Sequence, residues 1–221
     1  MSAATSDLSR DPYGDRRRTS HERLAGQPWE ASYLGEPAPW DIGRPQPAVA
    51  RVVADGGFTG TVLDVGCGTG ENSLHIAATG LDVLGVDVAP TALAIARAKS
   101  EARGIPARFA TADAFRLQRL GSTFDTVLDC GLFHTFDEDE RRDYVASLAL
   151  VTAPEGTLHV LCFSDEGPEP GPHPVGRAEF DVSFNAESGW RIEALESTRI
   201  QTRFHGEDGA PAWLATIERI A

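Results

Sequence analysis

The stretch Val62-Leu-Asp-Val-Gly-Cys-Gly-Thr-Gly-Glu71 limits what this 221-residue chain can fold into more than any other. A short β-branched run over residues 61–65 ends at Gly66, Gly68 and Gly70, and helical spacing begins at Glu71. Glycine there permits a tight turn and lets the backbone approach a ligand with no Cβ in the way. A strand, a glycine turn and a helix put that approach at the carboxyl edge of an open α/β sheet. The alternation continues downstream. Helical spacing runs over 71–79 and stops at Gly80; residues 81–88 read as a strand and 90–103 as a helix stopped by Gly104. Strands follow at 107–110, 124–130 and 157–163, with a helix at 137–151. Such alternation predicts parallel strands with crossover helices on both faces. Residues 190–197 and 212–220 alternate apolar and polar around a turn-rich His205-Gly-Glu-Asp-Gly209, which adds an antiparallel hairpin. The predicted fold is therefore a doubly wound α/β sheet closed by that hairpin. The proline-rich stretch at 164–174 reads as a long surface loop.

Acids follow the strand ends. Glu71 stands where a dinucleotide fingerprint has its third glycine. A pyrophosphate needs bare amides at a helix start, which an acid would repel, and the lysine of a phosphate-binding loop is absent. Asp87 ends the next strand, where a carboxylate can accept from both hydroxyls of a ribose. Asp113 lies just past the third strand, within reach of an exocyclic amine. For either acid taken singly, a helix cap or a solvated loop explains it equally well. Together with Asp64 they suit a ligand with adenine and ribose, positive charge and no phosphate. S-adenosyl-L-methionine is the obvious candidate.

On these residues the sequence resembles the class I S-adenosylmethionine-dependent methyltransferases, over roughly residues 27–220. Residues 62–70 look like their first motif, Gly85-Val-Asp87 like their ribose-binding acid, and Ala112-Asp-Ala114 like their adenine-flanking turn. Phe124-Asp-Thr-Val-Leu-Asp129 is similar to the strand beneath the transferred methyl. The resemblance implies a mostly parallel seven-stranded sheet of order 3-2-1-4-5-7-6, strand 7 antiparallel, with helices on both faces. Trp29-Glu-Ala-Ser-Tyr33 and Pro39-Trp-Asp-Ile-Gly-Arg-Pro-Gln-Pro47 are similar to the segment before the core in the halide, thiol and thiopurine methyltransferases. That likeness implies that Trp29, Tyr33 and Trp40 form an aromatic lid over the cofactor, where an aromatic face favours a sulfonium cation. The alternative is that the three rings only anchor an N-terminal helix. Asp129-Cys-Gly-Leu-Phe-His-Thr-Phe136 resembles the substrate-side turn of the same group. By that resemblance the Cys130 backbone touches the cofactor, and Phe133 and His134 face the methyl acceptor. His134 is then either a general base or a structural histidine. His173, Arg177, Arg203, His205 and Trp213 are further candidates for the acceptor side; each is equally explained as a surface residue, and for Arg203 and His205 the surface reading leads.

Composition bounds the partners. With 20 basic against 33 acidic residues, a net charge of −13, the chain is unsuited to a nucleic-acid or anionic-membrane partner, since phosphate binding is driven by Lys and Arg. A small-molecule acceptor is expected, with the protein a monomer or weak homodimer. Residues 1–23 carry five arginines and four acids with few large apolar groups and read as a flexible arm. Residues 24–221 then form one domain with its lid at 24–47. No apolar signal segment follows the arginines, and Cys67, Cys130 and Cys162 fit neither a disulfide framework nor a zinc spacing. A reducing cytoplasm is expected, and no metal. The single lysine, Lys99, reads as coding bias. The expected function is transfer of a methyl group by direct displacement to a thiol, halide, aromatic hydroxyl or amine. The alternatives are a cofactor-binding module without turnover and a nicotinamide-dependent oxidoreductase.

Overall fold

The computed structural model describes residues 16–166 and 173–220. Its sheet has seven strands: β1 Thr61–Val65, β2 Asp82–Asp87, β3 Arg108–Thr111, β4 Phe124–Cys130, β5 Thr152–Phe163, β6 Trp190–Ile200 and β7 Ala210–Arg219. Their order is β3-β2-β1-β4-β5-β7-β6. The first five are parallel, and β7 inserts antiparallel between β5 and β6. Six α-helices accompany them: α1 Ser20–Ala25, α2 Pro47–Ala54, α3 Glu71–Ala77, α4 Pro90–Arg103, α5 Glu138–Ala149 and α6 Arg177–Ser183.

Both sheet faces are covered, and the pleat sorts the side chains between them. Leu63, Val65, Val127, Leu158 and Val160 point into a core completed by Tyr144, Val145 and Leu148 of α5 and by Phe180 and Phe184 at α6. Val62, Leu128 and Leu161 point the other way, onto Ala48 and Val49 of α2 and Ile76 and Ala77 of α3. The edge strand β6 carries Arg191, Glu193, Glu196 and Arg199, a charged rim that discourages further strand pairing.

The sequence pattern mistook some boundaries. β5 starts at Thr152, five residues early, because an irregularity in its pairing with Phe124 and Thr126 lets the strand pass through Pro154 and Gly156. The hairpin strands run longer than their alternating cores, to Ile200 and from Ala210. α2 and α6 were not foreseen.

The flexible arm expected at 1–23 is corrected from Arg16 onward. Residues 1–15 lie outside the described residues. Residues 16–25 are docked, although they are polar, because the burial is ionic. Glu22 is 0% exposed and accepts from both guanidinium nitrogens of Arg16, at 2.7 and 2.5 Å. It also accepts from the Thr19 amide in a capping box and from the Trp29 amide. Burial alone would raise the Glu22 carboxyl; these bonds outweigh it and leave its pKa below the ordinary value. Among the described residues, no helix is long and apolar enough to cross a membrane.

Candidate active site

Side chains converge on one cavity of about 340 Å³ at the carboxyl ends of β1, β2, β4 and β5. The glycine loop forms its floor. Gly66, Gly68 and Gly70 all have positive φ, at 71°, 53° and 82°, conformations that residues with a Cβ rarely adopt. A Cβ on Gly68 would meet the Tyr33 hydroxyl at 3.2 Å, so the lid can lie directly on the loop. Gly70 has a different task. It caps α3, and a Cβ there would run into Ala96 and Phe109 at 2.9 Å. Its role is packing, and it does not line the cavity.

The loop amides are turned inward. Gly66 and Cys67 both donate to the Val86 carbonyl at 2.8 and 2.9 Å, and Gly70 donates to Cys67. Gly68 donates to Asp87 Oδ2 at 2.9 Å. Four amides that a phosphate would require are thus already engaged. Glu71, by contrast, does not exclude phosphate as the sequence argument held. It pairs with Lys99 at 2.8 Å and with both nitrogens of Arg103, so its charge is offset. Lys99 also donates to Thr69, which donates to Asp41 of the lid. The single lysine is therefore a structural partner of this loop.

Asp87 is 8% exposed and lines the cavity. Its Oδ1 accepts from the Ala89 amide at 2.8 Å, so each oxygen is oriented by one amide and keeps acceptor capacity. Burial pushes its pKa up and the amide bonds hold it back. Asp113 caps the 3-10 segment Ala114–Leu120 through the Phe115 amide, and it also lines the cavity beside Ala114 and Phe115. The capping and site readings of Asp113 describe one residue. Asp64 departs from expectation. It does not line the cavity; Ser73 donates to it at 2.5 Å behind the loop, and burial pushes its pKa up to about 7.

The lid rings meet as their spacing suggests. Trp40 donates to the Tyr33 hydroxyl at 3.0 Å, and Trp29 packs edge-on to Trp40 with centroids 5.6 Å apart. All three line the cavity. Trp29 and Tyr33 sit on a 3-10 turn rather than an α-helix. Polar stitches hold the segment down: Glu30 accepts from the amide and hydroxyl of Thr91, and Gln46 bonds reciprocally to the Gln201 backbone.

Beyond the loop, Cys130 and His134 line the cavity. Burial pushes the Cys130 thiol up. Burial, then His173, Arg141 and His21, push His134 down to about 3, so its imidazole is neutral. Its ring meets Phe163 edge-on at 4.7 Å, and its Nδ1 is buried with no partner among the described residues. Phe133 does not face an acceptor. Its turn rotates it into the core against Phe180 and Phe184. Trp213 is likewise internal, donating to the Val175 carbonyl, with Arg177 stacked 4.5 Å from its ring. His173 and His205 line the cavity and Arg203 does not. Sequence reasoning missed Arg16, His21, Phe136, Phe163 and Phe204, all of them cavity walls. Phe163, at the carboxyl end of its strand, was findable from position; His21 carried no signal.

Comparison with known proteins is consistent with this geometry. Residues 62–156 match a family model described as a methyltransferase domain. A 2-heptyl-1-hydroxyquinolin-4(1H)-one methyltransferase of Mycobacteroides abscessus is 32% identical over 193 residues, covering 82% of this chain and 84% of the relative. The chain belongs to the S-adenosylmethionine-dependent methyltransferases. A probable thiol methyltransferase 2 of Arabidopsis thaliana is 29% identical, over 69% of each protein. Among solved structures, one described as "Conversion of a Disulfide Bond into a Thioacetal Group during Echinomycin Biosynthesis" superimposes with a TM-score of 0.77, at 35% identity, over 86% of this chain and 88% of that one. The magnesium protoporphyrin IX methyltransferase of Synechocystis PCC 6803 with bound SAM gives 0.60 at 25% identity, over 78% and 76%. The methyltransferase uses S-adenosylmethionine. Its cavity fits that group: a glycine cradle, two carboxylates and aromatic cover.

Proposed function

We propose that this methyltransferase acts on an ionisable hydroxyl of a planar aromatic small molecule by direct displacement. The observation that carries the reading is the wall beyond the glycine loop. Phe163 packs against His134 and His205, and His21 packs against Trp29 and His173; all six line one cavity. Flat aromatic acceptors gain most from such ring surfaces, whereas a halide has no use for them. The relative from Mycobacteroides abscessus, whose name specifies a hydroxyquinolinone, supports the same acceptor class. A thiol is the second reading, supported by the name of the Arabidopsis relative.

When bound, S-adenosylmethionine supplies an electrophilic methyl on a sulfonium centre. Asp87 would accept from the ribose hydroxyls, and Asp113 and Ala114 would flank the adenine. Gly66, Gly68 and the backbone at Cys130, which line the cavity, would hold its amino-acid end. Trp29, Tyr33 and Trp40 cover the site, excluding water and presenting ring faces to the cation. His134, neutral and held at about 3 by burial, is too weak a base to keep a proton at neutral pH. It orients the acceptor, which reacts as the anion already formed in solution by loss of its proton to solvent, and alignment supplies most of the acceleration.

A transfer assay with methyl-labelled cofactor over aromatic hydroxyls, thiols, halides and aromatic amines tests this. Turnover fastest with bicyclic aromatic hydroxyls supports the proposal. Turnover confined to halides or aliphatic thiols overturns it.

A further inference from the structure

The cofactor reading makes no use of His21, and neither does the assignment of His134. His21 lies flat on Trp29, with ring centroids 4.4 Å apart and planes 5° from parallel, and His173 meets it edge-on at 5.6 Å. It lines the same cavity as His134. Its Nδ1 is buried and has no hydrogen-bond partner among the described residues. Burial and the neighbouring His173 lower its pKa against a weaker pull from Glu22, so the ring is neutral at pH 7. Buried polar atoms without partners are rare in folded proteins and call for an explanation.

The ring is held firmly. α1 has six residues, too few to be stable alone, so its neighbours fix it. Glu22, the next residue, is locked by Arg16, Thr19 and Trp29. Ser20, the residue before, donates through its amide and hydroxyl to Glu140 on α5 at 2.7 and 2.5 Å. Two buried carboxylates therefore clamp the backbone on either side of one imidazole that has no bond of its own at Nδ1. A side chain positioned at that expense, on the wall of a substrate cavity, is arranged to meet a ligand.

We propose that His21 is a second acceptor-contacting residue, which hydrogen-bonds a polar group of the acceptor other than the atom that is methylated. A neutral imidazole both donates and accepts, so a hydroxyl, carbonyl or ring nitrogen suits it. With His134 oriented on the nucleophilic atom, the enzyme selects planar acceptors that carry two polar groups over those that carry one. This rests on the aromatic acceptor class proposed above.

The test compares catechol with phenol in the wild-type enzyme, His21→Phe and His21→Gln. Phe keeps a ring against Trp29 and removes both nitrogens; Gln restores a hydrogen-bonding group. The expected result is that His21→Phe lowers the catechol-to-phenol ratio of kcat/KM about 10-fold, the scale of one lost hydrogen bond, and that His21→Gln recovers part of it. S-adenosylhomocysteine affinity, read by calorimetry, follows neither change. An equal fall with both acceptors, or a fall in cofactor affinity that accounts for it, overturns the proposal. If the wild type accepts only thiols, the hydroxyl reading fails by itself. The same ratio is then measured with 2-hydroxythiophenol and thiophenol, and an unchanged ratio in His21→Phe refutes the role of His21.

Discussion

Asp87 joins the two halves of the cofactor site. Its Oδ2 accepts from Gly68 in the glycine loop and its Oδ1 from Ala89 at the start of α4, so the carboxylate proposed to meet the ribose also sets the loop. Asp87→Ala is expected to weaken S-adenosylmethionine binding by roughly 10-fold to 100-fold, through the loss of charge-assisted bonds. Calorimetric titration checks it, and unchanged affinity would refute the assignment. Residue type and strand-end position marked Asp87 and Asp113 as candidates, and both line the cavity. Asp64 had the same credentials and faces Ser73 instead, because a strand's alternation decides which face a side chain takes, and β1 is covered on both. Glu71 was legible as an acid at a helix start. Its pairing with Lys99 and Arg103 was not, since those partners come from the far end of the next helix.

At the scale of elements, α1 is the part most dependent on others. Glu22→Gln would remove the carboxylate that Arg16, 4% exposed at its side chain, pairs with. Breaking a buried pair costs about 3–5 kcal/mol, more than a six-residue helix recovers by staying docked. The expected outcome is release of the segment: hydrogen exchange speeds up at residues 20–25 while the main thermal transition moves little, and the acceptor KM rises. A full-sized loss of global stability with unchanged exchange there would contradict it. The same logic explains what periodicity overlooked. α6 is seven residues long, and its only pattern is Phe180 and Phe184 one turn apart, both buried against Phe133. The lid turn at Trp29–Tyr33 is held by polar stitches to Thr91, which leave no apolar period to read.

Across the whole molecule, buried titratable groups pull stability in opposite directions with pH. Burial lifts Asp64 to about 7 and Asp129 to about 6 from an ordinary 3.8. Both carboxyls bind protons more tightly when folded, so their contribution falls as pH rises from about 4 to 7. His134, lowered to about 3 from 6.5, binds its proton less tightly when folded, so its contribution falls as pH drops below 6.5. These slopes oppose each other, and the wild type should show a shallow profile over that range. Asp64→Asn removes one of them. Its stability relative to wild type should grow with pH between 4 and 7, by on the order of 4 kcal/mol, and level off above; denaturant melts across that range measure it, and a constant difference would place the Asp64 pKa near its ordinary value. By itself, the sequence determined the strand–helix alternation, the glycine turn and the acids at the strand ends. Those depend on local periodicity and on backbone angles that only glycine adopts readily. Which chain segments wall the cavity beyond the glycine loop follows from packing alone. His21, His134, Phe163, His173 and His205 come from separate stretches brought together by sheet order and by the docking of α1 through buried carboxylates. Contacts of that kind have no period and leave no mark on the residues around them.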